Sequence, residues 1–391
     1  MLNPRNFGSI LLSVLTFASF SLPSFGSPQI ELVQSVPIET TLAVPGLRQT
    51  QQVWLEMIVG ANKTIDLEQF YISNQTGQAL APVLNAIRSA AARGVQIRLL
   101  IDSQFFKNYP NDANGLSQVQ NIEVRTIDYS SLAGGIQHSK YFVVDQSDSF
   151  VGSANFDWLA LSHIHEVGLR VLDAQMALGL ESVFSKDWEK GTALVKKTNS
   201  GTHSASSIQK PTQGQPGELK LIASPATMNP SGISDSLTEI ISLLVSSKTS
   251  VKIQVYQYTT KIYNSQTEWQ NLDIAIRNAA SHGVHVQLLV DAVSLKSGGA
   301  DLNALARLKN IEVRTVTIPE WSGGAIPYAR LVHSKYFTID NSSAWVGTEN
   351  WSGDYFTKSR NVGFIVQTPK IIGQLNQVFD QVWNSAYSKA I

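Results

Sequence analysis

The chain of 391 residues contains no cysteine, and its charges balance, with 30 lysines and arginines against 30 aspartates and glutamates. Without cysteine there can be no disulfide, no thiolate zinc site, no iron–sulfur cluster and no cysteine nucleophile. The neutral balance argues against a long basic clamp for duplex DNA and against a polybasic membrane anchor. It leaves open a small pocket for one phosphate group, because such a pocket needs only a few cations.

Long hydrophobic runs are also missing, apart from one short run near the N-terminus. Residues 1–26 hold a single charge, Arg5, followed by an apolar run at 10–18 and then by Pro23 and small residues. This order is typical of a secretory signal peptide, although a buried N-terminal helix is the alternative. Because the run is shorter than the ~20 residues that span a membrane, we expect no transmembrane anchor. We therefore expect an exported protein, secreted or periplasmic.

The sequence contains an internal duplication. The hexapeptide NIEVRT at 121–126 recurs at 310–315, a shift of 189 residues, and QHSKYFVVD at 137–145 corresponds to VHSKYFTID at 332–340, a shift of 195 residues. The second copy therefore holds six extra residues before its second motif, within 321–331. A repeat of this length predicts two related structural units in one chain.

Each copy has the same predicted order of elements. A β-rich run comes first, at 64–72 and 250–259, and the helix after it ends near a glycine, Gly94 or Gly283, which suits a helix C-cap. Hydrophobic strands follow, so each copy predicts an α/β lobe in which helices flank a mixed sheet.

The duplication also predicts the domain organisation. Between the copies, residues 198–217 are rich in Ser, Thr, Gln, Gly and Pro, as linkers are. We expect a first lobe at 27–197 and a second at 218–391, packed with pseudo-two-fold symmetry around one active site. Two independent domains on a flexible linker are the alternative.

Both copies contain the motif His-x-Lys-x4-Asp-x6-Gly-[Ser/Thr]-x-Asn with identical spacing. Alternate residues of a strand share a face, so the histidine and lysine of each motif should point to the same side. The glycine should form a tight turn after the next strand and bring the hydroxyl and the amide beside them. The first copy holds His138, Lys140, Asp145, Gly152, Ser153 and Asn155. The second holds His333, Lys335, Asp340, Gly347, Thr348 and Asn350.

If the lobes face each other, the two half-sites merge into one pocket. Its two imidazoles, two ammonium groups, two hydroxyls and two amides suit a phosphate group and need no metal. Asp145 and Asp340 stand at an odd spacing from the histidines, on the opposite strand face. We expect these aspartates to support the turn through hydrogen bonds.

Two histidines on one phosphodiester indicate a mechanism. One neutral imidazole attacks phosphorus and forms a phosphohistidine, while the other, protonated, donates to the leaving oxygen and then activates a water or an alcohol. The lysines and asparagines stabilise the phosphate oxygens. A carboxylate would hold one imidazole in its nucleophilic tautomer, and Glu166 is the candidate. The equivalent residue of the second copy is Asn361, and from this asymmetry we assign His138 as nucleophile and His333 as acid.

At these residues the chain resembles the phospholipase D superfamily, which is marked by a doubled HKD motif. The likeness is greatest to the branch that contains the lysosomal single-strand-specific 5′ exonucleases, whose animal members contain disulfides and are membrane-anchored. It is carried by segments 152–158, 326–330, 347–356 and 383–388. The resemblance implies two α/β lobes with a shared site, phosphohistidine chemistry and no cofactor or metal.

The expected activity is that of a metal-independent phosphodiesterase. Its expected substrate is single-stranded nucleic acid, hydrolysed from a chain end, and the expected state is a monomer with an internal pseudo-dimer. A phospholipase D or phosphatidyl transferase acting on phospholipid head groups is the alternative. A non-catalytic binding protein is a third hypothesis, against which both intact His–Lys pairs argue.

Overall fold

The structure is a computed structural model, which describes residues 28–195, 218–262 and 265–391. The predicted signal peptide at 1–26 and the predicted linker at 198–217 lie outside the described residues. All strands of one large sheet come from residues 29–193, and all strands of a second come from residues 219–390.

The first lobe begins at β1 and ends at β11. Its strands are β1 (Gln29–Ser35), β2 (Arg48–Gln49), β3 (Thr64–Gln69), β4 (Ile72–Ser73), β5 (Gln96–Asp102), β6 (Ile122–Ile127), β7 (Lys140–Val144), β8 (Asp148–Gly152), β9 (Phe156–Asp157), β10 (Glu166–Leu172) and β11 (Thr192–Ala193). Its helices are α1 (Thr50–Gly60), α2 (Ala81–Ala92), α3 (Ser103–Asn108), α4 (Asn111–Ser117), α5 (Tyr129–Ala133), α6 (Trp158–Ser162) and α7 (Ala174–Trp188).

The second lobe begins at β12 and ends at β20. Its strands are β12 (Leu219–Ser224), β13 (Ser234–Asp235), β14 (Ser250–Val255), β15 (His285–Asp291), β16 (Ile311–Val316), β17 (Tyr336–Ile339), β18 (Ser343–Gly347), β19 (Asn361–Val366) and β20 (Ser388–Ala390). Its helices are α8 (Ser236–Ser246), α9 (Asn271–Ser281), α10 (Leu295–Ala306), α11 (Gly353–Thr357) and α12 (Pro369–Trp383), and short 3-10 turns lie at Ala226–Met228 and Ala292–Ser294.

The two sheets have the same topology. The order β11-β6-β5-β3-β7-β8-β10-β1-β2 in the first lobe is reproduced by β20-β16-β15-β14-β17-β18-β19-β12-β13 in the second. In the first lobe β3, β5 and β6 run parallel, whereas β3, β7, β8, β10 and β1 alternate in direction. Each sheet is mixed and flanked by helices, which confirms the predicted α/β class and its two duplicated lobes.

The repeated sequence motifs explain the repeated connections. Helix α2 is followed by Gly94 with φ +98°, and α9 is followed by Gly283 with φ +90°, both in the left-handed region that glycine adopts without strain. Asn121, which opens the first NIEVRT segment at φ +65°, donates its side-chain N–H to the Ala91 carbonyl at 3.0 Å. In the second copy Asn310 repeats this contact at the same 3.0 Å, so both helices end against the strand that follows.

The lobes share one hydrophobic core. Helices α7 and α12 lie between the two sheets, where α7 contacts β12 of the other lobe and α12 contacts β1. Their buried aromatic residues, Phe184, Trp188, Phe379 and Trp383, belong to one continuous apolar cluster that includes residues of both lobes. Two independent domains on a flexible linker would not share such a core.

A buried ion pair joins the lobes beside this core. The Arg360 guanidinium of the second lobe donates to both carboxylate oxygens of Asp187 in the first, at 2.6 and 3.2 Å. Its remaining N–H groups reach the Ser224 carbonyl and the Asn229 side-chain oxygen, both at 2.9 Å, and the Met228 carbonyl at 2.8 Å. Every donor is therefore satisfied, as a buried guanidinium requires.

Candidate active site

The two motif histidines lie on segments that pair with a segment of the other lobe. The His138 backbone N–H donates to the Arg360 carbonyl at 2.9 Å, and the His333 backbone N–H donates to the His165 carbonyl at 2.9 Å. Each histidine therefore lies beside the first residue of a strand in the opposite lobe. Strand β7 starts only at Lys140, so His138 lies just before the strand that the sequence predicted to contain it.

Each motif imidazole has its hydrogen-bond partner in the other lobe. Glu166, the first residue of β10, lies 2.8 Å from Nδ1 of His333, across the lobe boundary. Asn361, the first residue of β19, lies 3.0 Å from Nδ1 of His138. The carboxylate that the sequence suggested as support for a nucleophile therefore contacts the histidine that we had assigned as the acid.

The hydrogen bonds around Asn361 determine the tautomer of His138. Its amide nitrogen donates to the Tyr355 carbonyl at 2.8 Å, so its oxygen faces the imidazole. That oxygen also accepts the Thr348 hydroxyl at 2.9 Å. Since an amide oxygen can only accept, Nδ1 of His138 must carry the proton. Nε2 then presents a lone pair on the opposite side of the ring, which is the side available to a substrate.

Both lysines are fully buried beside their histidines. Nζ of Lys140 donates to the His138 carbonyl and Nζ of Lys335 to the His333 carbonyl, each at 2.5 Å. Nζ of Lys140 also lies 4.9 Å from the centre of the Phe70 ring, a cation–π distance. Both ammonium groups are thus held at the site, where an anion would supply the counter-charge.

The four groups of the two half-sites act on one another electrostatically across the lobe boundary. Burial, and then the charges of Lys140 and Lys335, holds the pKa of His138 well below its ordinary value. Burial and the same two lysines lower the pKa of His333. Burial also lowers the pKa of Lys335 to about 7 and raises that of Glu166 to about 7, the latter opposed by Lys335. The two half-sites therefore form one electrostatically connected site, in which Lys335 and Glu166 change protonation state near pH 7.

The motif hydroxyls support the sheet instead of lining the pocket. The Ser153 hydroxyl donates to the Val167 carbonyl at 3.1 Å and accepts from the Val167 N–H at 3.2 Å. Thr348 accepts from the Val362 N–H at 3.1 Å and donates to Asn361. The expectation that both hydroxyls would join the phosphate cage is wrong, because each already joins two neighbouring strands.

The motif glycines are needed for close packing and not for a left-handed backbone. Neither Gly152 nor Gly347 adopts the left-handed backbone. A Cβ at Gly152 would lie 2.8 Å from Cα of Gly168 on the paired strand, and one at Gly347 would lie 2.5 Å from the Trp345 ring. The chain bends directly after each glycine, at Ser153 and Thr348, and the missing side chains let adjacent strands and an aromatic ring approach.

The motif asparagines lie buried at the same end of the sheets. Asn155 donates to the Tyr71 hydroxyl at 3.3 Å, and that hydroxyl in turn donates to the Asp157 carboxylate. Burial raises the pKa of Asp157 to about 6. The side-chain oxygens of Asn155 and Asn350 are buried and have no hydrogen-bond partner among the described residues. The amide oxygens of both asparagines thus take no part in structural hydrogen bonds with the described residues, whereas the amide nitrogen of Asn155 does.

One acidic residue of the site was missed from the sequence. Glu349 fills the unspecified position of the second motif, where the first has Ala154. It is fully buried, accepts the Thr348 N–H at 3.0 Å, and its pKa is raised to about 7 by burial. Its charge favours the protonated forms of Lys140 and Lys335. Because this position differs between the two copies, the sequence gave no reason to choose Glu349, and only the structure shows where its side chain lies.

The motif aspartates bind backbone N–H groups at the far end of the sheet. Asp145 accepts from Asn62, Lys63 and Thr64 at 2.7–2.8 Å. Burial by itself would raise the pKa of Asp145, but these hydrogen bonds outweigh burial and lower the pKa. Asp340 accepts equivalent bonds from residues 248–250 at 2.7–2.8 Å. These contacts agree with a structural role at the start of β3 and β14.

No group of three or more histidines, aspartates and glutamates in the described part of the chain is arranged to hold a metal ion. In the same part, no helix has the length and apolar character needed to cross a membrane.

The duplicated lobes and the merged His–Lys site define a phosphodiesterase of the phospholipase D superfamily. The family described as cardiolipin synthase, PLD-like domain, matches residues 54–188 and 240–383. The chain belongs to this PLD-like family, and the resemblance noted from the doubled motif is confirmed.

Named relatives extend over most of the chain. A probable phospholipase D of Caenorhabditis elegans is 31% identical and aligns with 92% of this chain and 70% of its own length. The 5'-3' exonuclease PLD4 of Mus musculus is 29% identical, covering 93% of this chain and 79% of the relative. A phosphatidylserine synthase of Haemophilus influenzae has the same fold, with a TM-score of 0.65 at 14% identity over 93% of this chain and 87% of its own.

Proposed function

We propose that this phosphodiesterase hydrolyses single-stranded nucleic acid from a 5′ end through a phosphohistidine intermediate. The observation that carries the proposal is the pair of imidazoles from opposite lobes, whose Nδ1 atoms are held by Glu166 and Asn361. With Nδ1 held, each ring can offer only Nε2 to a phosphate between them. Relatives named 5'-3' exonucleases, at 28–29% identity over 93–94% of the chain, support the choice of substrate.

In the first step His138 is the nucleophile. It is neutral because burial and two lysines keep its pKa low, and Asn361 fixes the proton on Nδ1. Its Nε2 lone pair attacks phosphorus as the bond from phosphorus to the leaving oxygen breaks. Burial and the two lysines also lower the pKa of His333, but the negative charges of a bound phosphodiester and of Glu166 favour its protonated form. His333, protonated in that complex, gives the leaving oxygen the proton from Nε2. The lysines and asparagines stabilise the phosphate oxygens, which hold the developing negative charge.

In the second step His333 acts as the base and His138 is the leaving group. His333, now neutral, removes a proton from a water molecule whose oxygen attacks phosphorus. The phosphorus–nitrogen bond breaks and its electron pair returns to Nε2 of His138. The product that carries the phosphate group leaves. His333 is again protonated, so both histidines regain their starting state.

The aromatic residues on the first-lobe side of the site favour a nucleic acid over a lipid. The Phe70 ring lies 4.9 Å from the His138 ring, and Tyr71 stacks with Phe105 at 5.9 Å and with Tyr109 at 4.9 Å. Aromatic faces of this kind bind bases without regard to sequence.

We also propose that the protein is exported, to the periplasm or outside the cell, and acts as a monomer.

A substrate screen in EDTA tests the proposal. We expect 5′-hydroxyl oligonucleotides to be shortened from that end, and His138→Asn and His333→Asn variants to lose several orders of magnitude in kcat. Release of phosphatidic acid or free head group from vesicles, with oligonucleotides left intact, would instead establish the phospholipase D alternative.

A further inference from the structure

Two buried aspartates outside the motifs lie at the ends of equivalent strands. Asp102 is the last residue of β5 and Asp291 is the last residue of β15. They are related by the same shift of 189 residues as the NIEVRT segments, and only 1% and 4% of their surfaces are exposed. A carboxylate that is buried this deeply requires hydrogen-bond donors. The donors that it finds connect each aspartate to a catalytic histidine.

The two carboxylate oxygens of Asp102 have different partners. Oδ1 accepts the N–H groups of Gln104 and Phe105, at 2.8 and 3.1 Å, and so caps α3. Oδ2 accepts the N–H of Gln137 at 2.9 Å, and Gln137 directly precedes His138. Since a helix cap needs only one oxygen, the second oxygen holds the segment that carries the histidine.

The second lobe repeats this arrangement. Oδ1 of Asp291 accepts the Val293 N–H at 2.9 Å, and Oδ2 accepts the Val332 N–H, also at 2.9 Å. Val332 directly precedes His333. The six extra residues of this copy lie between the aspartate and the motif, yet the contact has the same length in both lobes. The contact, and not the length of the intervening loop, therefore sets the position of the motif.

Each catalytic segment is held along both of its edges. On one edge the first segment pairs with the opposite lobe, where the His138 N–H donates to the Arg360 carbonyl and the Arg360 N–H donates to the Ile136 carbonyl, each at 2.9 Å. On the other edge the Gln137 N–H donates to Asp102. The carboxylate therefore fixes the distance between the histidine and the sheet of its own lobe.

We propose that Asp102 and Asp291 are positioning residues, of which Asp102 places the nucleophile His138 and Asp291 places the acid His333. The inference rests on the proposed roles of the histidines and not on the identity of the substrate. Each aspartate acts through the backbone of the residue before the histidine, so its loss should displace an imidazole without removing any group from the site. A displacement of about 1 Å at a reacting group costs on the order of 100-fold in rate.

Asparagine at either position removes this contact selectively. Its oxygen can still cap the turn that follows, because asparagine is a preferred N-cap residue, and its NH2 group then faces the N–H of Gln137 or Val332 and cannot accept from it. Serine is the second variant, because its single hydroxyl also caps and leaves the catalytic segment without an acceptor. The matched control is Asp173→Asn, since Asp173 caps α7 through the Met176 N–H at 2.8 Å.

The test measures two substrates, a 5′-hydroxyl oligonucleotide, whose alkoxide leaving group needs a proton, and a p-nitrophenyl phosphodiester, whose leaving group does not. We expect Asp102→Asn to lower both kcat for the oligonucleotide and the rate of the p-nitrophenolate burst about 10- to 100-fold, because both reactions need the nucleophile. Asp291→Asn should lower kcat for the oligonucleotide by a similar factor and leave the burst nearly unchanged. The serine variants should match the asparagine variants, and Asp173→Asn should behave as wild type.

Wild-type rates in Asp102→Asn and Asp291→Asn would overturn the positioning role. Equal slowing of both substrates by Asp291→Asn, or a comparable loss in Asp173→Asn, would also overturn it, because either result indicates general damage to the fold. The reversed pattern, with the burst spared in Asp102→Asn, would overturn the proposed roles of the histidines and this assignment with them. A wild-type enzyme that cleaves the p-nitrophenyl diester but no oligonucleotide would overturn the proposed substrate alone, and a phospholipid would then replace the oligonucleotide in the same comparison.

Discussion

Replacing Glu166 by glutamine separates the proposed acid from the proposed nucleophile. The 2.8 Å contact between Glu166 and Nδ1 of His333 is a hydrogen bond to a charged group, and such bonds contribute ~1.5–3 kcal/mol. Glutamine keeps the shape and can still accept the Nδ1–H, but it removes the negative charge that stabilises the imidazolium. We therefore expect a fall in kcat of about 10- to 150-fold for an oligonucleotide, whose alkoxide leaving group needs a proton.

A leaving group that needs no proton should be almost insensitive to this change. We expect Glu166→Gln to slow release of p-nitrophenolate from a phosphodiester much less than tenfold, measured as the initial burst in stopped flow. Asn361→Ala is the reciprocal control, because it removes the Nδ1 partner of His138 and should slow both substrates alike. If Glu166→Gln slowed both substrates equally, the carboxylate would serve the nucleophile and our assignment of the histidines would be wrong.

Three further predictions follow from the buried groups. Because Glu166 is ionised above and Lys335 is charged below a pKa of about 7, kcat/KM should peak near pH 7 and fall on both sides, and Glu166→Gln should abolish the acidic limb of the profile. Gly168→Ala should lower the free energy of unfolding by ~1–3 kcal/mol in urea, because its Cβ would lie 2.3 Å from a ring carbon of the neighbouring strand. Asp187→Asn should lower it by ~3–5 kcal/mol, because it leaves the charge of Arg360 buried without its partner.

Each of these changes has a control within the chain. Gly373→Ala in α12, where a Cβ would meet nothing within 4 Å, should be stabilising by up to ~1 kcal/mol. Glu239→Gln breaks the ion pair with the half-exposed Lys220 and should change stability by no more than ~1 kcal/mol. A loss at Gly373 as large as at Gly168, or equal losses at Glu239 and Asp187, would contradict the packing and burial arguments. A flat pH profile would contradict the electrostatic one.

The sequence alone was sufficient for the features that repeat. Helix-ending glycines, the NIEVRT strands and the doubled motif each occur twice at matching positions, so the duplicated α/β lobes and the identity of the motif residues could be predicted. Contacts between the lobes could not be predicted, because they depend on how two sheets pack. Glu166 therefore had no assignable partner, and the surroundings of Arg360 gave no local pattern at all. The packing role of Gly152 could not be predicted either, since a glycine before a loop looks the same whether it eases a turn or makes room.

The central claim is that one composite site uses both histidines, with His138 as nucleophile, to cleave a phosphodiester. The most direct measurement is the burst from His333→Ala mixed with a nucleoside 5′-(p-nitrophenyl) phosphate in EDTA, followed by mass spectrometry of the protein. We predict release of one p-nitrophenolate per protein and a nucleotidyl adduct on His138, in which the nucleoside remains on phosphorus, that persists because no base remains to activate water. No release, a need for added metal, or an adduct on any other residue would contradict the account.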